Sequence, residues 1–214
     1  MEQYAYDEIK NAIFSGEFDP GMRLYEDALA ERLDMSRTPI RKAMQRLESE
    51  LILESVDGKT GMQIYRPKKE DLLGLTDVRV QLESLALANA MSHGGKEQFF
   101  PLLRANEQLR AAIAENDISA ILSHDGEFHS LLYEISSSKW LEATGHRIND
   151  CFALYRMLYL QNLRDGWDEA YSQHMMIYNL IMANNMNDAI DLLKYHINYY
   201  KWKPGCILSE TLGM

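Results

Sequence analysis

Asp125 and His129 stand four residues apart in the segment HDGEFH, so on a helix they share one face and can hold one cation between them. His174 in YSQHMMIYNLI and His196 in LLKYHINYY each interrupt an apolar helical stretch. One carboxylate and three imidazoles are a donor set for a divalent transition metal. Zn²⁺ is the first choice, with Ni²⁺ and Mn²⁺ behind it, provided separate helices of a bundle bring the four side chains to one point. Spacing alone leaves a second reading open, because a histidine on an apolar helix face is more often a hydrogen-bonded core residue than a ligand. Of the remaining histidines (His93, His124 and His146), His124 points about 100° away from Asp125 on the same helix.

A second chemistry sits in SRTPIRKAMQRL, residues 36–47, which carries Arg37, Arg41, Lys42 and Arg46 and no acid in a chain of formal charge −10. Neither half of the chain is basic: residues 1–68 hold 10 basic against 13 acidic side chains, and residues 69–214 hold 12 against 19. A nucleic-acid surface here has to come from local clustering. Ile40, Ala43, Met44 and Leu47 recur at i, i+3, i+4 and i+7 and form a buried face, which turns Thr38, Arg41, Lys42 and Gln45 outward. Arginine suits guanine edges and phosphates in a major groove, with Thr and Gln in support. The competing reading is a solvated face that happens to lack acids.

The elements that must position these groups follow from the pattern. YAYDEIKNAIFSG predicts a helix that Gly16 can end, EFDPGMRL a turn, and YEDALAERL a short helix. Ser36 is placed to cap the basic helix, with Pro39 in its first turn. LILESVDGKTGMQIYRP predicts two short strands around a Gly-rich tip that carries Lys59 and Gly61. Three helices followed by a hairpin is the winged helix-turn-helix order. RPKKEDL, residues 66–72, marks the boundary between a DNA-binding domain, 1–68, and an all-α domain, 69–214. Six helices are expected in the second, over roughly 69–92, 96–115, 117–136, 138–163, 168–184 and 187–202, with short links that imply an antiparallel bundle. The fold class is therefore mainly α.

With 214 residues, 46% apolar and 25% charged, the chain buries a core without staples. Cys151 and Cys206 do not suggest a disulfide framework, and CFALYRMLYL, the most apolar stretch, is broken by Arg156 and too short to span a bilayer. MEQYAYDEIK is unlike a signal peptide, so a cytoplasmic protein without membrane attachment is expected.

The segment GEFDPGMRLYEDALAERLDMSRTPIRKAMQRLESELI resembles the DNA-binding domain of the GntR family of bacterial transcription regulators. The likeness runs ungapped through Gly16, Pro20, Gly21, Leu24, Leu29, Ala30, Leu33, Ser36, Arg37, Thr38, Pro39, Arg41, Ala43 and Leu47. It implies that Arg37, Thr38 and Arg41 contact operator DNA, with Lys59 and Gly61 at the wing near the minor groove. Asp34 and Glu50 stand where the family usually has glycine. Asp tolerates the left-handed conformation that the turn needs; Glu50 implies a different helix exit. Glu26-Asp27-Ala28 lacks a basic residue that some relatives set against phosphate, which implies modest, salt-dependent affinity.

The second half resembles the FCD ligand-binding domain of one GntR subfamily. Val78, Arg79, Leu82 and Glu83 match its opening helix; Asp125, Phe128, His129 and Leu132 match its D-x-x-F-H-x-x-L segment. His174 and His196 fall in the last two helices, where that domain supplies its other histidines, and six helices match its VanR-like variant. The resemblance implies a bound metal whose open positions take a small carboxylate effector such as a sugar acid, hydroxy acid or dicarboxylate. Arg79 and Arg156, set within otherwise apolar helical stretches, are candidate effector contacts with Tyr155; an i,i+4 pair with Glu83 and a rim or dimer-interface salt bridge are the alternatives for the two arginines. The expected protein is a homodimeric, ligand-responsive repressor that binds double-stranded operator DNA. Rivals are a regulator for which the metal is the signal, one with purely structural histidines, and a metal-dependent hydrolase. The last lacks a general base or an H-E-x-x-H segment, so an enzyme is not expected.

Overall fold

The first helix, α1 (Glu2–Phe14), turns Ala5, Tyr6, Ile9, Ala12 and Ile13 inward, and Gly16 at φ +79° lets the chain reverse behind it. The computed structural model describes residues 1–56, 58, 60–160 and 164–202. β1 (Arg23–Leu24), α2 (Glu26–Arg32), α3 (Arg37–Ser49), β2 (Leu53–Ser55) and β3 (Met62–Ile64) follow. Together they make the expected winged helix-turn-helix. Asp34 takes φ 49° in the turn between α2 and α3, the left-handed conformation anticipated for it. Ser36 is the N-cap residue of α3 in extended conformation, but its hydroxyl makes no capping hydrogen bond. At the other end Glu50 stays at φ −92°, and Leu51 takes the left-handed position at φ 63°. Glu50 is used otherwise, accepting from Tyr6 Oη at 2.6 Å and from Arg46 Nε at 3.1 Å.

The segment EFDPGMRL is more than a turn, because Arg23–Leu24 forms a third strand. β3 lies between β1 and β2, both antiparallel to it, with Leu24 opposite Met62 and Leu53 opposite Ile64. Without β1, one edge of β3 would expose unpaired backbone groups. Ile9, Ile13, Leu24, Ile40, Met44, Leu47 and Ile64 share one core with Leu154. This first unit comprises Met1–Pro67 together with Ala153–Leu158.

The second unit holds Lys68–Phe152 and the chain from Tyr159 onward. Its helices are α4 (Lys69–His93), α5 (Phe100–Glu115), α6 (Ile118–Glu134), α7 (Lys139–Tyr155), α8 (Arg164–Met182) and α9 (Met186–Trp202). Two details differ from the sequence expectation. Lys96–Phe99 is a 3₁₀ turn that leads into α5, and α7 gives way to a π-helical turn at Arg156–Leu160. Asn116 and Asn184, at φ 54° and 58°, supply the left-handed residues that stop α5 and α8. α6 starts on Asp117, whose carboxylate accepts from Ala120 N at 3.0 Å. Leu87, Leu102, Phe128, Leu132, Ile177 and Leu193, drawn from five helices, form the core around which the bundle closes. Among the described residues no helix is long and apolar enough to cross a membrane.

Candidate metal centre and nucleic-acid interface

Asp125 and His129 lie one turn apart on α6, His174 on α8 and His196 on α9, and all four are buried. One donor atom from each lies within 4.8 Å of the others. Three outer contacts decide which ring nitrogens face inward. His129 Nδ1 is 2.7 Å from Glu83 Oε2, His196 Nδ1 is 2.8 Å from Gln173 Oε1, and His174 Nδ1 is 3.2 Å from Asn106 Oδ1. The two amides are oriented by their own donor bonds, Gln173 Nε2 to Glu169 and Asn106 Nδ2 to the Tyr171 carbonyl. All three partners are therefore acceptors, each Nδ1 carries the proton, and each Nε2 presents a lone pair.

The lone pairs converge. His174 Nε2 lies 3.1 Å from His196 Nε2, which lies 3.2 Å from His129 Nε2; Asp125 Oδ1 is 4.0 Å from His174 Nε2. Facing lone pairs at such distances repel unless a cation sits among them. Two imidazole nitrogens each about 2.1 Å from one ion would stand about 3.0 Å apart at a right angle and about 3.4 Å at the tetrahedral angle. The observed spacings fall between, so these residues fit a divalent transition metal. Phe128 stacks on the His174 ring at 3.8 Å and holds its plane. His93, His124 and His146 lie elsewhere, with His124 on Glu127 at 3.0 Å.

Glu83 links this centre to Arg79. Its Oε1 accepts from Arg79 Nε at 2.7 Å, so the i,i+4 pair is formed, and both residues are buried. Tyr133 Oη reaches the same carboxylate at 3.4 Å. Burial, reinforced by the Glu83 charge, pushes the Tyr133 hydroxyl far above its ordinary value, which keeps it a donor. The Arg79 guanidinium lies over Phe152 at 4.0 Å, and its Nη2 is buried without a hydrogen-bond partner among the described residues. Tyr155 and Arg156 are buried too, in the stretch Ala153–Leu158 that clusters with the first unit.

Glu83, Asn106 and Gln173 were not among the expected site residues. Asn106 had a signal, since it interrupts the apolar spacing Leu102, Ala105, Leu109 on α5. Gln173 and Glu83 had weaker ones: adjacency to His174 and the pairing with Arg79.

On α3, Arg37, Thr38, Arg41, Lys42 and Gln45 are all exposed. The cations have acidic neighbours. Arg41 donates from Nε and Nη2 to the two oxygens of Glu26 at 2.8 and 2.7 Å, Arg37 pairs with Asp27 at 2.5 Å, and Lys42 approaches Glu2 at 3.6 Å. The hydrogen bond from Arg41 holds the Glu26 carboxyl below the usual range. Arg46 stacks on Tyr6 at 3.7 Å. At the wing, Gly61 has φ +80°, and a Cβ there would stand 2.5 Å from the Leu24 carbonyl oxygen, so backbone approach alone requires glycine. Lys59 lies outside the described residues.

Residues 2–61 match the model of the bacterial regulatory proteins of the gntR family, and residues 74–199, more than half the chain, match the FCD domain. The chain is a GntR-family protein with an FCD domain. This GntR protein is 28% identical over 196 residues to the HTH-type transcriptional regulator YdhC of Bacillus subtilis, covering 91% of this chain and 86% of that one. It is 24% identical over 197 residues to the transcriptional repressor GlaR of Escherichia coli, covering 88% and 89%. A GntR regulator from Rhodococcus sp. RHA1 has the same fold, with a TM-score of 0.83 at 21% identity over 99% of this chain and 97% of that one. Escherichia coli McbR/YncC gives 0.79 at 22% identity over 99% and 98%. The GntR protein is accordingly a DNA-binding transcription regulator and not an enzyme.

Proposed function

We propose that this regulator is a metal-dependent sensor of a small organic acid, and that it acts as a homodimer and as a repressor, the role printed for its relative GlaR. The observation that carries the reading is the convergence of three Nε2 lone pairs and one carboxylate, with each Nδ1 fixed by an acceptor. Asp125, His129, His174 and His196 would hold Zn²⁺, or Ni²⁺ or Mn²⁺ in its place. A metal with four protein ligands and open positions supplies Lewis acidity toward a carboxylate. Arg79 supports an anionic effector, since its buried Nη2 has a donor to offer. Arg37, Thr38, Arg41, Lys42 and Gln45, with Lys59 and Gly61 at the wing, are the proposed DNA-contacting residues. Two winged helices would read half-sites about 34 Å apart. The effector acts by preferring one of two states of the dimer.

The test is a thermal-shift panel on chelator-stripped protein with Zn²⁺, Ni²⁺ or Mn²⁺, each against sugar acids, hydroxy acids and dicarboxylates. A ligand at 100 times its Kd stabilises by about 2.7 kcal/mol, or roughly 5 to 10 °C in a chain of this size. Metal-dependent stabilisation by one acid class supports the reading. Absence of any shift with metal sinks the four-residue site, and operator release on chelation alone moves the signal to the metal itself. A reporter behind the operator should gain expression when the regulator is deleted; a loss would make it an activator.

A further inference from the structure

Arg41 is held differently from the other cations on the outward face of α3. Arg37 meets Asp27 through one contact and Lys42 only approaches Glu2, whereas Arg41 is gripped on its Nε–Nη2 edge by both oxygens of Glu26. The pair is half exposed to water, and an ion pair in that setting adds little to stability. Its geometry does more. A guanidinium has five N–H donors in one plane, and two of them are used by Glu26. Of the remaining three, one on Nη1 and the outer one on Nη2 form the end-on edge that reads two acceptors of one base. A free arginine on a flexible stem would settle on the nearest phosphate instead. Glu26 also brings a negative charge to the surface facing DNA, which weakens backbone attraction at any sequence.

Resting on the reading of α3 as the recognition helix, we propose that Glu26 is a positioning residue for base recognition. It fixes the plane of Arg41 so that the arginine discriminates a base, and it lowers affinity for non-cognate DNA. Asp27, next in sequence and paired with Arg37 at 2.5 Å, supplies charge without that two-oxygen grip.

The experiment begins with duplexes selected from a random library by the full-length protein. Arg41→Ala and Arg41→Lys then identify the base position that Arg41 sets. Glu26→Gln, Glu26→Asp and Asp27→Asn are compared by fluorescence anisotropy at one salt concentration, on the selected duplex, on its single-base variants at that position, and on a non-specific duplex of equal length. Glu26→Gln is expected to reduce the preference at the Arg41 position by about tenfold and to raise non-specific affinity severalfold. Glu26→Asp keeps the charge but withdraws the carboxylate by one methylene, and is expected to lose preference as well. Asp27→Asn should raise non-specific affinity and leave the preference intact. The proposal is overturned when Glu26→Gln keeps the preference within about twofold, or when Asp27→Asn loses it equally. Intact operator binding in Arg41→Ala would instead remove the recognition-helix reading beneath it.

Discussion

The two candidate sites of this regulator both consist of charged and polar side chains in pairs, yet they follow opposite physics. Around the histidines the pairs are buried: Glu83 and Arg79 lie within the bundle, and each histidine Nδ1 has an oxygen acceptor. On α3 the pairs are exposed, and Arg41 and Glu26 both remain in reach of water. A buried charge that loses its partner has no solvent to fall back on, whereas an exposed one is rehydrated at once. The buried network therefore holds together as a unit, and it fixes a geometry. The exposed pairs add little to stability, and their unused donors stay open to DNA.

The comparison is tested most severely at Glu83. Glu83→Gln leaves Arg79 buried beside a neutral amide and removes the charged acceptor of His129. The loss should be about 3 kcal/mol, which lowers Tm by about 6 to 12 °C, with metal affinity reduced about 10- to 100-fold. Calorimetry and competition against a fluorescent chelator would read both, and an unchanged Tm would refute the buried-network account. A smaller effect is expected from Asn106→Leu, which removes the acceptor of His174 Nδ1 while keeping the branched four-atom outline of the side chain. Metal affinity should fall by about tenfold while the apo fold survives; retained affinity would mean that the ring is held by Phe128 stacking instead.

Leu51 offers a change in the other direction. It is exposed and sits at φ 63°, where a Cβ is disfavoured, so Leu51→Gly should stabilise by about 0.5 kcal/mol in urea unfolding. A destabilised variant would show that the Leu51 side chain contributes contacts that outweigh the backbone strain. The smallest effect belongs to Glu26→Gln. By charge removed it is the same substitution as at Glu83, yet Tm should move by no more than about 2 °C. A fall as large as that at Glu83 would erase the distinction between the two regions.

Much of the first unit was legible because its signals are local. Gly16, Asp34 and Pro39 set turns within a few residues of themselves, and the i, i+3, i+4, i+7 stripe of α3 names its own buried face. β1 was not legible, since two residues in a turn-like segment become a strand only when β3 arrives from about forty residues further along to pair with them. In the second unit, Asp125 and His129 could be paired from their spacing, whereas His174 and His196 stood as candidate ligands on separate helices that a family resemblance then favoured.

The sequence by itself determined the helices, the turn residues between them, the uncharged and basic faces of α3, and the four residue types that can hold a metal. Those follow from backbone preference and periodicity, which act over one or two turns. The tertiary structure decided that Glu83, Asn106 and Gln173 orient the three imidazoles and that Glu26 grips Arg41. Such contacts join residues 15 to 68 positions apart, and hydrogen bonds of this kind depend on ångström-scale placement that only the packed helices provide.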